Sequence, residues 1–541
     1  MKKEILLGNE AIINGALSAG VNFVSGYPGC PSAEIGDEFA KIAKQKGVYV
    51  EWSTNEKTAL EAAIGASFSG LKSLVNMKSF GINVCSDALL PLAYTGTKAP
   101  MVIVVADDPS CWSSAQTEQN SRAYAYLSHI PVLEPADPQE CYDYTKLGFE
   151  ISEKFNMPVI LRTVTRAAHQ RAVVVFEETE KKEQKVGEFV KNPHQFSTMP
   201  PRILEQKKEL LEKIKKIGAY ADKSKINKID GDKSKIGIIA SGISFLYSME
   251  AVEELKLSAS VLKLGFFYPL PERLIANFIK DKNKLLVVEE LDPYIEKEIT
   301  RIAKSVNPKL QIFGKDILSE IGELGSEDVC VALAKITGKT YKKSAVKSLA
   351  LPKRTARLCE GCPYWYIFPT IKRVAPEGTI FGGDIGCNMI GGLPPHSLHD
   401  YLFCMGSSIG ISHGVKKSTN QKVISLMGDG TFFHSGIAGL INTVYNKSNP
   451  LMIVLDNRIT AMTGHQPNPG MGKTSMGEDT EELRIEEIAK ACGVKHIKVL
   501  DPINIKELED TIKEFLTKDE ISLIVCKRIC ALLARRQGIK I

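Results

Sequence analysis

The stretch KVISLMGDGTFFHSGIAGLINTVYNKSNPLMIVLDNRIT, residues 422–460, constrains the fold more than any other part of the chain. It reads as an apolar strand, a glycine-rich turn, a helix and a second apolar strand, the order of a right-handed βαβ unit. That connection makes the two strands parallel neighbours, about 4.8 Å apart. Asp429 and Asn457 then sit at adjacent carboxyl ends, the edge where open parallel sheets bind ligands. A carboxylate, an amide oxygen and a backbone carbonyl such as that of Ile459 are hard ligands. They suit Mg²⁺, which usually completes its shell with water and substrate phosphates. Gly428 and Gly430 let the backbone come close to a diphosphate. A tight turn with Asp429 as a helix cap would account for the Gly-Asp-Gly alone. It does not account for Asn457, 28 residues after Asp429 at the end of the next strand.

Elsewhere the pattern is also α/β. Residues 1–176 alternate helical stretches with apolar runs at Val21–Val24, Val48–Trp52, Ser73–Met77, Met101–Ala106 and Pro158–Arg162. That alternation predicts a parallel sheet flanked by helices. Residues 177–235 are dense in both signs of charge and read as a solvated linker with one amphipathic helix. A second α/β unit follows at 236–337, a short basic connector at 338–353, and the last domain at 354–541.

Composition removes several classes. Of 541 residues 44% are apolar, which excludes disorder of the whole chain. Lys and Arg number 69 against 63 Asp and Glu, and a net charge of +6 gives no argument for nucleic acid. No secretory signal is visible and no apolar run is long enough to span a membrane. A cytoplasmic protein is expected, in which the twelve cysteines stay reduced.

Gly-Asp-Gly followed by Asn at this distance resembles the thiamine diphosphate fingerprint. That cofactor needs a carboxyl beside N1′ of its aminopyrimidine, buried and raised in pKa, so that the imino nitrogen can remove the C2 proton. In WSTNEKTALEAAIGAS, Glu56 follows a strand directly and opens a helix, while Glu61 lies a turn and a half further on. Alone, Glu56 also reads as an ordinary helix N-terminal acid. GYPGCPSAEI, EWSTNEKTALEAAIGAS, MKSFGINV, LAYTGTKAPMVIVVADDP, SSAQTEQNSR, GDGTFFHSGI and DNRITAMTGHQPNPG together resemble the large (alpha) subunit of indolepyruvate ferredoxin oxidoreductases. The resemblance covers nearly the whole chain. It implies a thiamine diphosphate-binding fold with a pyrimidine-binding domain first, a transketolase C-terminal-like domain in the middle and a diphosphate-binding domain last. It implies that Glu56 is the N1′ partner.

Cys359 and Cys362 form CEGC, and Cys387 follows in GDIGCN. By spacing, with a later cysteine, they fit Zn²⁺, a 4Fe–4S cluster, or inert burial. The resemblance implies the cluster, with Cys530 as fourth ligand and Cys526 as the fallback. Cys85, Cys111, Cys141, Cys330, Cys404 and Cys492 read as small core residues. Cys30 stands where relatives carry Thr in a Tyr-Pro-Gly-Thr-Pro-Ser loop facing the substrate, and a thiol is the weaker donor. Arg122 is the candidate for the substrate carboxylate, a helix-surface arginine being the alternative. His434 and His465 are acid–base candidates or structural loop residues.

The resemblance therefore implies oxidative decarboxylation of aryl 2-oxoacids, indolepyruvate foremost, to acyl-coenzyme A and CO₂. It implies thiamine diphosphate, Mg²⁺, a smaller beta subunit in a hetero-oligomer, and electrons passed to ferredoxin or a ferredoxin-like subunit. Relatives usually continue into a ferredoxin-like tail with two clusters. Here the sequence stops eleven residues after Cys530, so one cluster is expected. The alternatives are a non-redox thiamine diphosphate decarboxylase and a non-catalytic assembly subunit with structural Zn.

Overall fold

A computed structural model describes residues 1–181, 183–343 and 355–540. The chain forms two compact units, Met1–Lys347 and Ser348–Ile541. Most of the connector expected at 338–353 lies outside the described residues.

The first unit contains two α/β sheets. One has seven strands in the order Phe266–Tyr268, Val132–Leu133, Val159–Val164, Met101–Asp107, Ser73–Lys78, Phe23–Gly26 and Tyr49–Trp52, all parallel except the first pair. The other has five, in the order Gln311–Phe313, Lys284–Val288, Ile236–Ser241, Ser260–Leu264 and Lys228–Gly231. A small antiparallel ribbon pairs Lys2–Leu7 with Arg171–Phe176. The apolar runs read from sequence all form strands, shifted by a residue or two.

Two strands cross the expected domain limits. Phe266–Tyr268, from the middle region, pairs with Val132–Leu133 of the first sheet. Lys228–Gly231, inside the expected linker, becomes an antiparallel edge of the second sheet. The rest of that linker holds the amphipathic helix Arg202–Ala221, which buries Leu210, Ile217 and Ala221.

Buried ion pairs join the two sheets of this unit. Arg122 donates from Nε and Nη2 to both oxygens of Glu134, at 2.7 and 2.6 Å, and from Nη1 to Glu289, at 2.9 Å. Arg162 bridges Asp107 at 2.7 Å and Glu134 at 3.0 Å. Ser241, at the end of a second-sheet strand, donates to Glu134 at 2.6 Å. Burial alone would raise the Glu134 carboxyl; Arg122 and Arg162 outweigh it and hold it down at about 2.

The second unit is built on one parallel sheet in the order Ile380–Gly382, Val423–Gly428, Leu451–Asp456, Ser522–Lys527 and His496–Leu500. Alternate residues of its central strands face opposite sides. Ile424, Leu426, Ile453 and Leu455 pack with Phe368 and Ile371 of helix Tyr364–Val374 and with Leu508 and Ile512 of helix Ile505–Phe515. Met427, Met452 and Val454 pack on the other side with Ile409, Leu440 and Ile485. Burial on both faces is why these strands read as unbroken apolar runs. Among the described residues, no helix is long and apolar enough to cross a membrane.

Glu134→Gln leaves two buried guanidinium groups undercompensated and should destabilise the first unit by about 3–5 kcal/mol. The wild-type carboxylate contributes stability above its unfolded value of 4.5, and that contribution is lost as pH falls toward about 2. Thermal melts from pH 7 to pH 2 should therefore converge for wild type and variant at the acid end.

Candidate active site

The carboxyl edge of the seven-stranded sheet gathers four loops of the first unit. Helix Glu56–Phe68 begins four residues after the strand Tyr49–Trp52, capped by Asn55, whose side chain accepts the Thr58 N–H at 2.9 Å. Glu56 is its first residue and is 7% exposed. Glu61 is exposed and pairs with Lys57, so helix register separates the two acids. Ala59 and Ala63 are fully buried, and the helix packs on helix Ser79–Thr95. There Gly81 makes room for the acid. A Cβ on it would lie 2.6 Å from Glu56 Cγ and 3.0 Å from Oε1.

The Tyr27–Ser32 loop lies next along the edge. Cys30 is half-buried, and its carbonyl accepts the Ser113 hydroxyl at 3.2 Å. Burial pushes the Cys30 thiol up, Glu34 adds to this, and Lys78 opposes it. Lys78 ends the adjacent strand, is 8% exposed, donates to the Ser113 carbonyl at 2.8 Å and lies 3.7 Å from Asp108. Burial lowers its ammonium pKa while Asp108 holds it up. Sequence reasoning missed Lys78; its place at the end of a strand, beside the Cys30 loop, was the available signal. Arg122 is the reverse case. At 2% exposed, its guanidinium is engaged by Glu134 and Glu289 and packed 4.8 Å over the Phe267 ring, neither on the helix surface nor open to a substrate carboxylate.

In the second unit the strands Val423–Gly428 and Leu451–Asp456 pair in parallel, with Gly428 opposite Leu455. Asp429, Asn457 and Ile459 are 3%, 7% and 2% exposed. Asn468 donates to Asp429 Oδ2 at 3.0 Å, and the Ile459 N–H donates to Asn457 Oδ1 at 3.2 Å. Burial, then the neighbouring Asp456 carboxylate, pushes Asp429 up to about 7, the behaviour of an acid crowded into a site that a cation would relieve. A Cβ on Gly428 would meet nothing within 4 Å, whereas one on Gly430 would lie 2.9 Å from Thr460 Oγ1. The strand end is thus open above Gly428, as a diphosphate requires.

The same edge holds the cysteines. Burial, with Cys359 and Cys530 adding to it, pushes the Cys362 thiol up to about 11. Burial, with Cys362, Cys530 and Cys359 adding to it, pushes Cys387 up to about 12. These four thiols are electrostatic neighbours. Cys530 reaches them because the chain turns back after the strand Ser522–Lys527, and its N–H donates to the Asn457 carbonyl at 3.0 Å. Cys526 is on that strand, opposite Leu455 and Leu500, and is buried in the apolar core. Beside Cys387, Asn388 is 1% exposed and neither atom of its amide has a partner. Among the described residues no three His, Cys, Asp or Glu side chains converge on one metal ion. Thiolates of a 4Fe–4S cluster bind separate irons, so a cluster does not require such convergence.

Other expectations fare differently. His465 lies 3.7 Å from Cys530 Sγ through Nε2, and its imidazole pKa is lowered by burial. His434 is buried in a π-turn directly after Gly-Asp-Gly, with Nδ1 2.6 Å from Ser435 Oγ. Cys85, Cys141 and Cys330 are buried, and the half-buried Cys492 packs against the core of the second unit, but Cys404 is exposed and Cys111 is only half-buried.

Residues 14–223 match the family described as pyruvate flavodoxin/ferredoxin oxidoreductase, thiamine diphosphate-binding, and residues 384–526 match the C-terminal binding domain of thiamine pyrophosphate enzymes. The indolepyruvate oxidoreductase subunit IorA of Methanothermobacter marburgensis is 43% identical, over 97% of this chain and 87% of that relative. That of Pyrococcus horikoshii is 40% identical, over 99% and 88%. The chain belongs to the indolepyruvate oxidoreductase alpha-subunit family. The 2-oxoglutarate synthase subunit KorA of Archaeoglobus fulgidus is 28% identical over 59% of this chain and 97% of that relative. The 2-oxoglutarate:ferredoxin oxidoreductase from Magnetococcus marinus shares the fold, with a TM-score of 0.51 at 18% identity over 62% of this chain and 65% of that one. Both matched domains and the family make thiamine diphosphate the cofactor. Gly81→Ala should drive the Glu56 carboxyl from its position. The expected result is a tenfold or greater loss, roughly, of thiamine diphosphate-dependent turnover, with a lowered melting temperature because the same Cβ would lie 2.9 Å from Cβ of the buried Met77.

Proposed function

We propose that this chain is the catalytic alpha subunit of an aryl 2-oxoacid oxidoreductase. With a smaller beta subunit it converts an arylpyruvate of the indolepyruvate type and coenzyme A to the aryl-acyl-coenzyme A and CO₂. The two electrons released pass singly to ferredoxin or a ferredoxin-like protein. The reading is carried by one observation: the sheet edge that ends in Asp429 and Asn457 also receives Cys530, whose N–H donates to the Asn457 carbonyl and whose thiol, with Cys359 and Cys362, is an electrostatic neighbour of Cys387. A non-redox decarboxylase has no use for those thiols. Twelve free cysteines suit a reducing, cytoplasmic setting.

When bound, thiamine diphosphate supplies carbanion-stabilising chemistry at the 2-oxo carbon, and a 4Fe–4S cluster supplies one-electron redox chemistry. Glu56 holds a proton at N1′ of the aminopyrimidine, and Gly81 keeps it in place. Gly428 and Gly430 offer backbone to the diphosphate. Asp429, the Asn457 amide oxygen and the Ile459 carbonyl are the Mg²⁺ ligands. Cys359, Cys362, Cys387 and Cys530 are the cluster ligands. At the Cys30 loop, Lys78 takes the carboxylate role expected of Arg122, because it ends a strand beside that loop and makes one 3.7 Å approach to a carboxylate, whereas the Arg122 guanidinium is bonded to two.

The test is arylpyruvate- and coenzyme A-dependent reduction of a low-potential acceptor by the chain co-expressed anaerobically with its beta subunit. Glu56→Gln should lower kcat by about 100-fold, and Lys78→Met should raise KM for the 2-oxoacid more than it lowers kcat. Undiminished turnover in Glu56→Gln would sink the assignment of the acid.

A further inference from the structure

Helix Tyr364–Val374 starts two residues after Cys362, and its first residue is a buried phenol that sequence reasoning did not single out. Tyr364 is 2% exposed, with its ring 5.6 Å from that of Phe368. Its hydroxyl donates to the Leu455 carbonyl at 3.4 Å and accepts from Asn457 Nδ2 at 3.1 Å. A phenol has one proton to give. With that proton directed at a strand carbonyl, the oxygen is left as an acceptor and selects the amino end of the Asn457 amide. The other end, Oδ1, is thereby turned toward the Ile459 N–H at 3.2 Å. The phenol also interacts electrostatically with Cys387, Asp429, Cys362 and Cys530. One hydroxyl therefore stands among both groups of proposed ligands.

We propose that Tyr364 is a positioning residue for the diphosphate site, its hydroxyl holding the Asn457 amide with Oδ1 presented to Mg²⁺. A residue next to the CEGC segment then sets how tightly the cation and its diphosphate are held. The proposal rests on the reading of Asp429 and Asn457 as cation ligands, and extends it to a residue to which neither spacing nor family resemblance gave a role. Loss of the hydroxyl leaves the ring and its packing in place. It frees the amide to rotate and present its amino end to the cation.

The experiment is an Mg²⁺ titration at saturating thiamine diphosphate, followed by protein fluorescence on the intact alpha–beta complex under anaerobic conditions. Tyr364→Phe should raise the Kd for Mg²⁺ about fivefold, the effect of one net hydrogen bond. In an Asn457→Ala background the same substitution should have no further effect, because the amide it acts through is gone. An unchanged Kd in Tyr364→Phe, where Asp429→Ala abolishes binding, would overturn the positioning role. So would a fivefold loss that persists in the Asn457→Ala background, which is what a merely structural tyrosine gives. If Asp429→Ala leaves Mg²⁺ binding intact, the cation reading itself fails, and the proposal with it.

Discussion

The parallel pairing of Val423–Gly428 with Leu451–Asp456 is the constraint on which the second unit depends. Because the helix between them returns the chain to the same end of the sheet, each strand delivers its terminal polar residue to one edge. Asp429 and Asn457 meet there without any long-range coincidence. The next strand, Ser522–Lys527, pairs with Leu451–Asp456 in the same sense and delivers Cys530 to that edge as well. The backbone bond from Cys530 to Asn457 then ties the late cysteine to the diphosphate side of the site. The proposed function needs its two cofactors close together, and this sheet edge is where the residues proposed to hold them are brought near one another.

In the first unit the corresponding constraint is electrostatic. Glu134 receives two guanidinium groups and a serine hydroxyl while nearly enclosed. Such a knot is a weak source of net stability, since desolvation offsets most of the attraction. Its consequence is geometrical: Ser241 and Glu289 of the second sheet are held against Arg122 and Glu134 of the first. The same knot explains why Arg122 is unsuited to substrate, and why Lys78, at the carboxyl end of a different strand, is left as the cationic feature near Cys30.

Much of this was legible in the sequence. The buried strands are continuous apolar runs, and strand ends followed by Gly, Asp or Glu mark a ligand edge. The short strands Lys228–Gly231 and Phe266–Tyr268 were not legible, because their pairing is decided by what lies beside them rather than by their own pattern. Partnership was equally hidden. Glu134 and Glu289 lie far from each other in sequence, and nothing near Arg122 announces that its guanidinium is taken. Cys526 and Cys530 look alike in spacing, and only the departure of the chain from the strand at Lys527 separates a core thiol from an edge thiol. Tyr364 carries no motif at all; its significance lies in two hydrogen bonds to a strand that begins about ninety residues later.

The central claim is that four edge thiols hold a cluster beside the diphosphate site. Anaerobic iron and sulfide analysis of this chain with its beta subunit tests it most directly, comparing wild type, Cys530→Ser and Cys526→Ala. The account requires about four irons and four sulfides per alpha chain in wild type and in Cys526→Ala, and loss of that complement in Cys530→Ser. A full complement retained in Cys530→Ser, or zinc in place of iron in the wild type, would contradict it.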